Sequence, residues 1–252
     1  MITINIKLPT SWADLSDKQL LLVFRLMMDE ISETALATYC LLRWNRMEVL
    51  YASKPGESGG EAVLRRGRER YLLTALQMAE AVRSLDWLTQ FPAQPVRLSH
   101  YRKAAALSAD FSGVPFETFL ICDNLYQGYL QTRKGELLRE MGGMMYPGVS
   151  LRGKKRAAEP FLINVFYWFT SLKQFYAREF PHFFRPASQD SLGTPLPSRQ
   201  QLQNAMNTQI RALTKGDITK EKEVLAMDTL RALTELDAQA KEYEELHAKS
   251  KK

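Results

Sequence analysis

The sequence predicts a mainly α protein with a small β element near its N-terminus. Three patterns carry that expectation. Apolar residues recur at steps of three and four through most of the chain past residue 115, the longer extended patterns are confined to the first 71 residues, and breaks rich in Gly and Pro separate the periodic segments. The expected architecture is a multi-helix core with protruding C-terminal helices. Its parts are an N-terminal α+β region (1–90), a connection (91–115), a helical core (116–185), a linker (186–197) and a C-terminal helical hairpin or arm (198–252).

Composition fits this class. The chain has 252 residues, 45% hydrophobic and 25% charged, which is the range of soluble globular proteins and enough for a substantial core. The most apolar stretch, Phe161 to Phe169, is interrupted by Asn164 and falls far short of the roughly 20 residues that cross a bilayer. No charged start followed by an apolar run and a small-residue cleavage site opens the chain, so the expectation is a cytoplasmic protein with no membrane partner.

Taken in order, Ile2 to Leu8 alternates apolar and polar residues and predicts a half-buried strand ended by Pro9. Ser16 with Gln19 forms a capping-box pattern before the stripe Leu20, Val23, Phe24 and Met27, predicting a helix over about 17–28. Ser32 caps a second helix whose inner face would use Leu36, Tyr39, Cys40 and Trp44. Met47 to Tyr51 reads as extended, 54–60 as a turn-rich connection, and Ala62 to Tyr71 as one returning strand with Gly67 at a bulge. Thr74 to Leu85 predicts a helix with Trp87 and Leu88 packed beyond it. From Phe91 to Pro115 the periodicity fades, which predicts a long connection or a short strand at Val96 to Leu98, and the expected internal boundary falls here.

Past Pro115 the spacing predicts helices through Phe116 to Leu130 and Leu137 to Met145, with Gly128, Gly142 and Gly143 permitting close approach or a bend. A helix over about 159–180 carries two adjacent stripes, one of them Phe161, Val165, Trp168, Leu172 and Phe175, and so must be buried against several elements. Pro181 to Pro197 has linker composition, and two further helices span about 198–213 and 219–246. The last presents Leu230, Leu233 and Tyr243 on one side and mixed charges on the other, as a partner-bound helix or short coiled coil does.

The stretch GVSLRGKK from Gly148 to Lys155 has the G-x-x-x-x-G-K spacing of a phosphate-binding loop. A working loop follows a hydrophobic strand and places a Ser or Thr hydroxyl on magnesium. Here Gly142 to Pro147 precedes it and Lys155 takes the hydroxyl's place, so the expectation is a basic loop between helices. Cys40 and Cys122 lie among apolar residues and are expected as buried free thiols. His100, His182 and His247 stand at no ligand spacing, and no cofactor, metal or catalytic motif is indicated.

The net charge of +6 is concentrated in two runs, Arg65, Arg66, Arg68, Arg70 and Arg152, Lys154, Lys155, Arg156. On one strand, Arg66, Arg68 and Arg70 would project from one face about 7 Å apart, near the spacing of nucleic-acid phosphates. A second nucleic-acid surface would be a stacking platform of Tyr167, Trp168, Tyr176 and His182 with Lys173 and Arg178, although aromatics at this helical spacing are more often core.

The phrases LPTSWADLSDKQLLLVFRLM (Leu8 to Met27), FETFLICDNLYQGYLQT (Phe116 to Thr132) and ALTKGDITKEKEVLAMDTLRALTELDAQAKEYEEL (Ala212 to Leu246) resemble an uncharacterised group of phage and prophage proteins from tail-gene clusters. The resemblance implies a non-enzymatic role in virion assembly, as a tail assembly chaperone or a structural tail component. Its partners would be phage tail proteins such as the tape measure or the tail tube, and self-association is compatible with it. The alternative is an accessory protein that binds nucleic acid through its basic patches.

Overall fold

The computed structural model describes residues 6–29, 31–53, 60–151, 155–184 and 199–250. The fold is mainly α with a small N-terminal sheet. The chain divides into two compact units, Met1–Pro92 and Ala93–Lys252.

The first unit opens with irregular backbone at 6–9; residues 2–5 of the expected first strand lie outside the described set. Helix α1 (Asp17–Met27) starts at the expected capping box, where Ser16 donates its backbone N–H to Gln19 Oε1 at 3.0 Å, and it buries Leu20, Val23 and Phe24. In α2 (Glu33–Trp44), Ser32 Oγ accepts from Ala35 N–H. Its buried face is Leu36, Ala37, Cys40 and Leu41, while Tyr39 points outward, because the packing stripe runs along the i, i+4 ridge from Leu36 rather than through Tyr39.

Three antiparallel strands follow in the order β1 (Glu48–Ala52), β2 (Glu61–Arg66) and β3 (Glu69–Thr74). The predicted single strand over 62–71 is therefore two strands. Gly67, at φ +62°, turns the chain between them in the left-handed conformation that a two-residue hairpin turn requires, and the bulge lies instead between Val49 and Tyr51. Leu64 pairs with Tyr71, and both are buried on the inner face. Helix α3 (Ala75–Arg83) has its own capping box, Thr74 with Gln77. Beyond it Leu85 and Leu88 are buried, and Trp12 stacks edge-on against Trp87 while donating Nε1–H to Gln90 O.

The boundary between the units falls at Pro92, inside the expected connection; residues 93–115 are irregular apart from one short hairpin, and Val96 to Leu98 is not a strand. The short hairpin is β4 (His100–Tyr101) with β5 (Ala104–Ala105). Helices α4 (Phe116–Thr132), α5 (Gly135–Met145) and α6 (Lys155–Glu179) follow. The expected linker, 186–197, lies outside the described residues. Then come α7 (Arg199–Thr214), α8 (Glu221–Ala226) and α9 (Thr229–Ser250), so the predicted helix over 219–246 is broken. Helix α6 begins one turn earlier than its spacing predicts, with Pro160 inside it.

Helix α6 is the core. Phe161, Val165, Trp168, Phe169, Leu172 and Tyr176 are all fully buried, each contributing about 1.5–3 kcal/mol by removal from water. Aromatic rings fill the space between α6 and α4: Phe119 against Phe169 and Tyr176, Tyr126 against Phe166 and Phe169. On the other side α5 approaches so closely that a Cβ on Gly142 would lie 2.8 Å from the Phe161 ring, which is why glycine stands there.

The segment from Ala93 to Val114 is laid along α6 and satisfied by its side chains. Asn164 Oδ1 accepts from Leu98 N–H at 2.9 Å, and Asn164 Nδ2 donates to Tyr146 Oη, which in turn donates to Leu98 O, both at 2.8 Å. Trp168 Nε1 donates to Ala109 O, Ser171 Oγ accepts from Val96 N–H, and Tyr176 Oη donates to Asp110 O. Irregular backbone can be buried only where such partners exist.

The strap ends where Pro115 bridges Asp228 in antiparallel fashion. Phe116 N–H donates to Met227 O, Thr229 N–H and Oγ1–H both donate to Val114 O, and Gly113 N–H donates to Asp228 Oδ2. Asp228 Oδ1 also accepts from Arg231 N–H, capping α9. Val224 of α8 and Ala232, Leu233 and Leu236 of α9 are buried, while the turns of α9 past residue 240 are largely exposed.

Asn164→Ala is expected to destabilise the second unit by about 2–4 kcal/mol, because buried groups of Leu98 and Tyr146 lose a partner together. Urea unfolding followed by circular dichroism checks this. Gly142→Ala should cost about 1–3 kcal/mol through overpacking against Phe161, read in the same way.

Candidate functional site

The arginine run of the first unit surrounds the tip of the β2–β3 hairpin. Arg65, Arg66, Arg68 and Arg70 are all exposed. Their geometry differs from the single-face row expected, since Arg68 occupies the turn, Arg65 pairs across the ladder with Arg70, and Arg66 pairs with Glu69. The reversal of the chain at Gly67 folds the row back on itself. Two carboxylates temper its charge: Arg65 makes an ion pair with Glu48, and Glu69 accepts from the Tyr71 hydroxyl. The patch is a cluster at a hairpin tip, so phosphates spaced along one extended strand do not match it.

In the second basic run, Arg152 and Lys154 lie outside the described residues, as do the side chains of Lys155 and Arg156, which open α6. The residues before GVSLRGKK form α5, a helix, where a phosphate-binding loop follows a strand. Gly148, at φ +77°, ends a turn in which Val149 N–H donates to Tyr146 O. Arg102, in the β4–β5 turn, donates to Ser150 O and brings a further cation to this end of the unit.

The aromatic platform does not exist as a surface. Trp168 and Tyr176 are fully buried with their polar atoms bonded to Ala109 and Asp110, burial pushes the Tyr176 phenol up, and Lys173 is held by Asp123 at 2.7 Å. The Arg97 guanidinium lies 5.4 Å from the Trp168 ring centroid, a cation–π contact inside the fold.

On α9 the three predicted contact residues separate. Leu233 is fully buried and Leu230 half-buried, so Leu233 is a core residue rather than a contact residue, because α9 packs against α7 and α4. Tyr243 is 62% exposed and lies edge-on against the His247 ring. Leu246, 67% exposed, was missed although it stands three residues after Tyr243 on the same side. Together with Glu242, Glu245 and Lys249 they form a charged, partly aromatic end to the helix. Its position is fixed by a clasp in which Asp237 Oδ1 accepts from the backbone N–H groups of His182 and Phe183, and Glu244 lies 2.8 Å from His182 Nδ1.

Sequence reading also missed two features of the first unit. Tyr51 and Leu72 are 56% and 61% exposed on the outer face of the sheet, and apolar residues at both alternating sets of β2 and β3 were the available signal. A cleft of about 350 Å³ opens between the inner face and the helices, lined by Ile6, Leu41, Met47, Leu64, Leu73 and Met78 with Glu80 at its polar side. Its chemistry suits an apolar side chain. Among the described residues no group of three or more His, Cys, Asp or Glu is placed to hold a metal, and no helix is long and apolar enough to cross a membrane.

Set against protein-family models, curated proteins and solved structures, the chain matches none.

Both cysteines are free and buried, and burial pushes each thiol up to about 12. At mildly alkaline pH neither is expected to react with Ellman's reagent in the folded protein, and both should react after unfolding in denaturant. Rapid labelling of the folded chain would contradict this.

Proposed function

We propose that the protein acts by binding other proteins during virion assembly, as a tail assembly chaperone or a structural component of the tail region, in the cytoplasm of a bacterial host. The resemblance of the Leu8 to Met27, Phe116 to Thr132 and Ala212 to Leu246 phrases to phage tail-cluster proteins motivates the setting. The observation that carries the mode of action is the exposed end of α9. Tyr243 and Leu246 stand in water on a helix whose base is buried through Leu233 and Leu236 and whose orientation is set by the clasp to His182. A rigidly based helix with an exposed aromatic and leucine is suited to lie beside a partner helix, the geometry a long tape-measure helix offers.

A second reading keeps the hairpin tip for nucleic acid, favoured by the exposure of all four arginines. The two separate by salt, since binding to phosphates weakens steeply as salt rises and apolar helix docking does not.

The full-length protein is expected to co-purify with a tape-measure fragment. Tyr243→Asp combined with Leu246→Asp should reduce recovery about tenfold, at a cost in stability within about 0.5 kcal/mol for exposed positions. Capture of neither tape measure nor tube subunit, with unchanged particle yield after deletion of the gene, would overturn the reading.

A further inference from the structure

The outer face of the β1–β2–β3 sheet carries a pattern that, among the described residues, no element of its own unit uses. Tyr51 pairs with Val63 and Val63 with Leu72, so the three lie in one row across the strands. They point away from the face that buries Leu64 and Tyr71, and Tyr51 and Leu72 are more than half exposed. Along β2 the same face reads Glu61, Val63, Arg65: a carboxylate, an apolar centre and a guanidinium, both charges exposed, with Arg65 also paired to Glu48 of the neighbouring strand on that face.

That order is self-complementary. A two-fold axis in the plane of the interface, perpendicular to the strands and passing over Val63, turns the row Tyr51–Val63–Leu72 onto the same row of a second copy. It also sets Glu61 of each chain against Arg65 of the other. On the flanking strand Arg70 meets the uncharged Thr74, so no like charges face each other. We infer that this face is an isologous docking surface for a second copy of the chain, making a sheet-on-sheet pair with the apolar row at its centre and two symmetric Glu61–Arg65 ion pairs at its sides. Charge complementarity selects the occupant: an acidic partner would leave Glu61 opposed, and a basic one Arg65. The apolar row spans only about 10 Å across three strands, a patch small beside the roughly 800 Å² that each partner of a standard interface buries, so the pair is weak and reversible.

The test is sedimentation equilibrium of the full chain across the micromolar range, with native mass spectrometry of mixtures. The wild type is expected to pass from monomer to dimer with rising concentration, and Leu72→Lys to remain monomeric. Glu61→Lys and Arg65→Glu each place like charges in opposition and should weaken the dimer at least about tenfold. An equimolar mixture of those two variants should recover a heterodimer, because both contacts across the axis then join opposite charges again, one with the signs exchanged and the other as in the wild type. Circular dichroism of each variant should match the wild type, since every substituted side chain is exposed. A wild type that stays monomeric, a dimer indifferent to Leu72→Lys, or folded single variants whose mixture fails to pair would each overturn the inference.

Discussion

Asn164 is a polar residue with no exposure in the middle of the most apolar helix of the chain, and the second unit is organised around it. A buried amide left without partners costs a few kcal/mol, so its presence is tolerable only if donors and acceptors are brought to it. They come from two directions, the Leu98 backbone and the Tyr146 hydroxyl, and the Tyr146 hydroxyl closes the circuit on the Leu98 carbonyl. Three segments that share no regular secondary structure are thereby locked in one register. Trp168, Ser171 and Tyr176 extend the same device along the helix, each holding one more peptide group of the strap.

This constraint explains the remaining packing. A helix whose polar atoms are consumed by the strap is free to bury its aromatic residues on its other sides, against α4 and against the close approach of α5 at Gly142. The strap must then end in a defined place, and it does so at the bridge of Pro115 to Asp228. Asp228 serves both partners, one carboxylate oxygen accepting from Gly113 and the other capping α9, so the start of the last helix is set by the end of the strap. The clasp from Asp237 and Glu244 to the turn after α6 then aims the exposed end of α9, where the proposed contact with a partner lies.

The candidate contact residues show where reading the chain works and where it stops. Tyr243 was legible because helical spacing places it opposite the charged face, and Leu246 could have been found by the same rule. Leu233 lies on the same helix with the same periodicity, yet it is core. Periodicity tells that a stripe will be covered, and it does not tell whether the cover comes from the same chain or from another. The arginine run was legible as charge but not as shape, because a single residue, Gly67, decides between an extended row and a hairpin tip.

What the sequence alone determined is what is encoded within about four residues: the mainly α class, the helix starts at Ser16 and Ser32 with their caps, and the deep burial of the Phe161 to Tyr176 stripe. What only the tertiary structure decided involves partners far apart in the chain. The strap over 93–114 carries no periodicity, since its peptide groups are satisfied by side chains such as Asn164, 66 residues from Leu98. The break before α9 depends on Val114, 115 residues from Thr229. Hydrogen bonds of that reach leave no local signature, because the residues that make them, an asparagine, a serine or a threonine, read equally well as a cap, a turn or a solvated surface until the fold brings their partners to them.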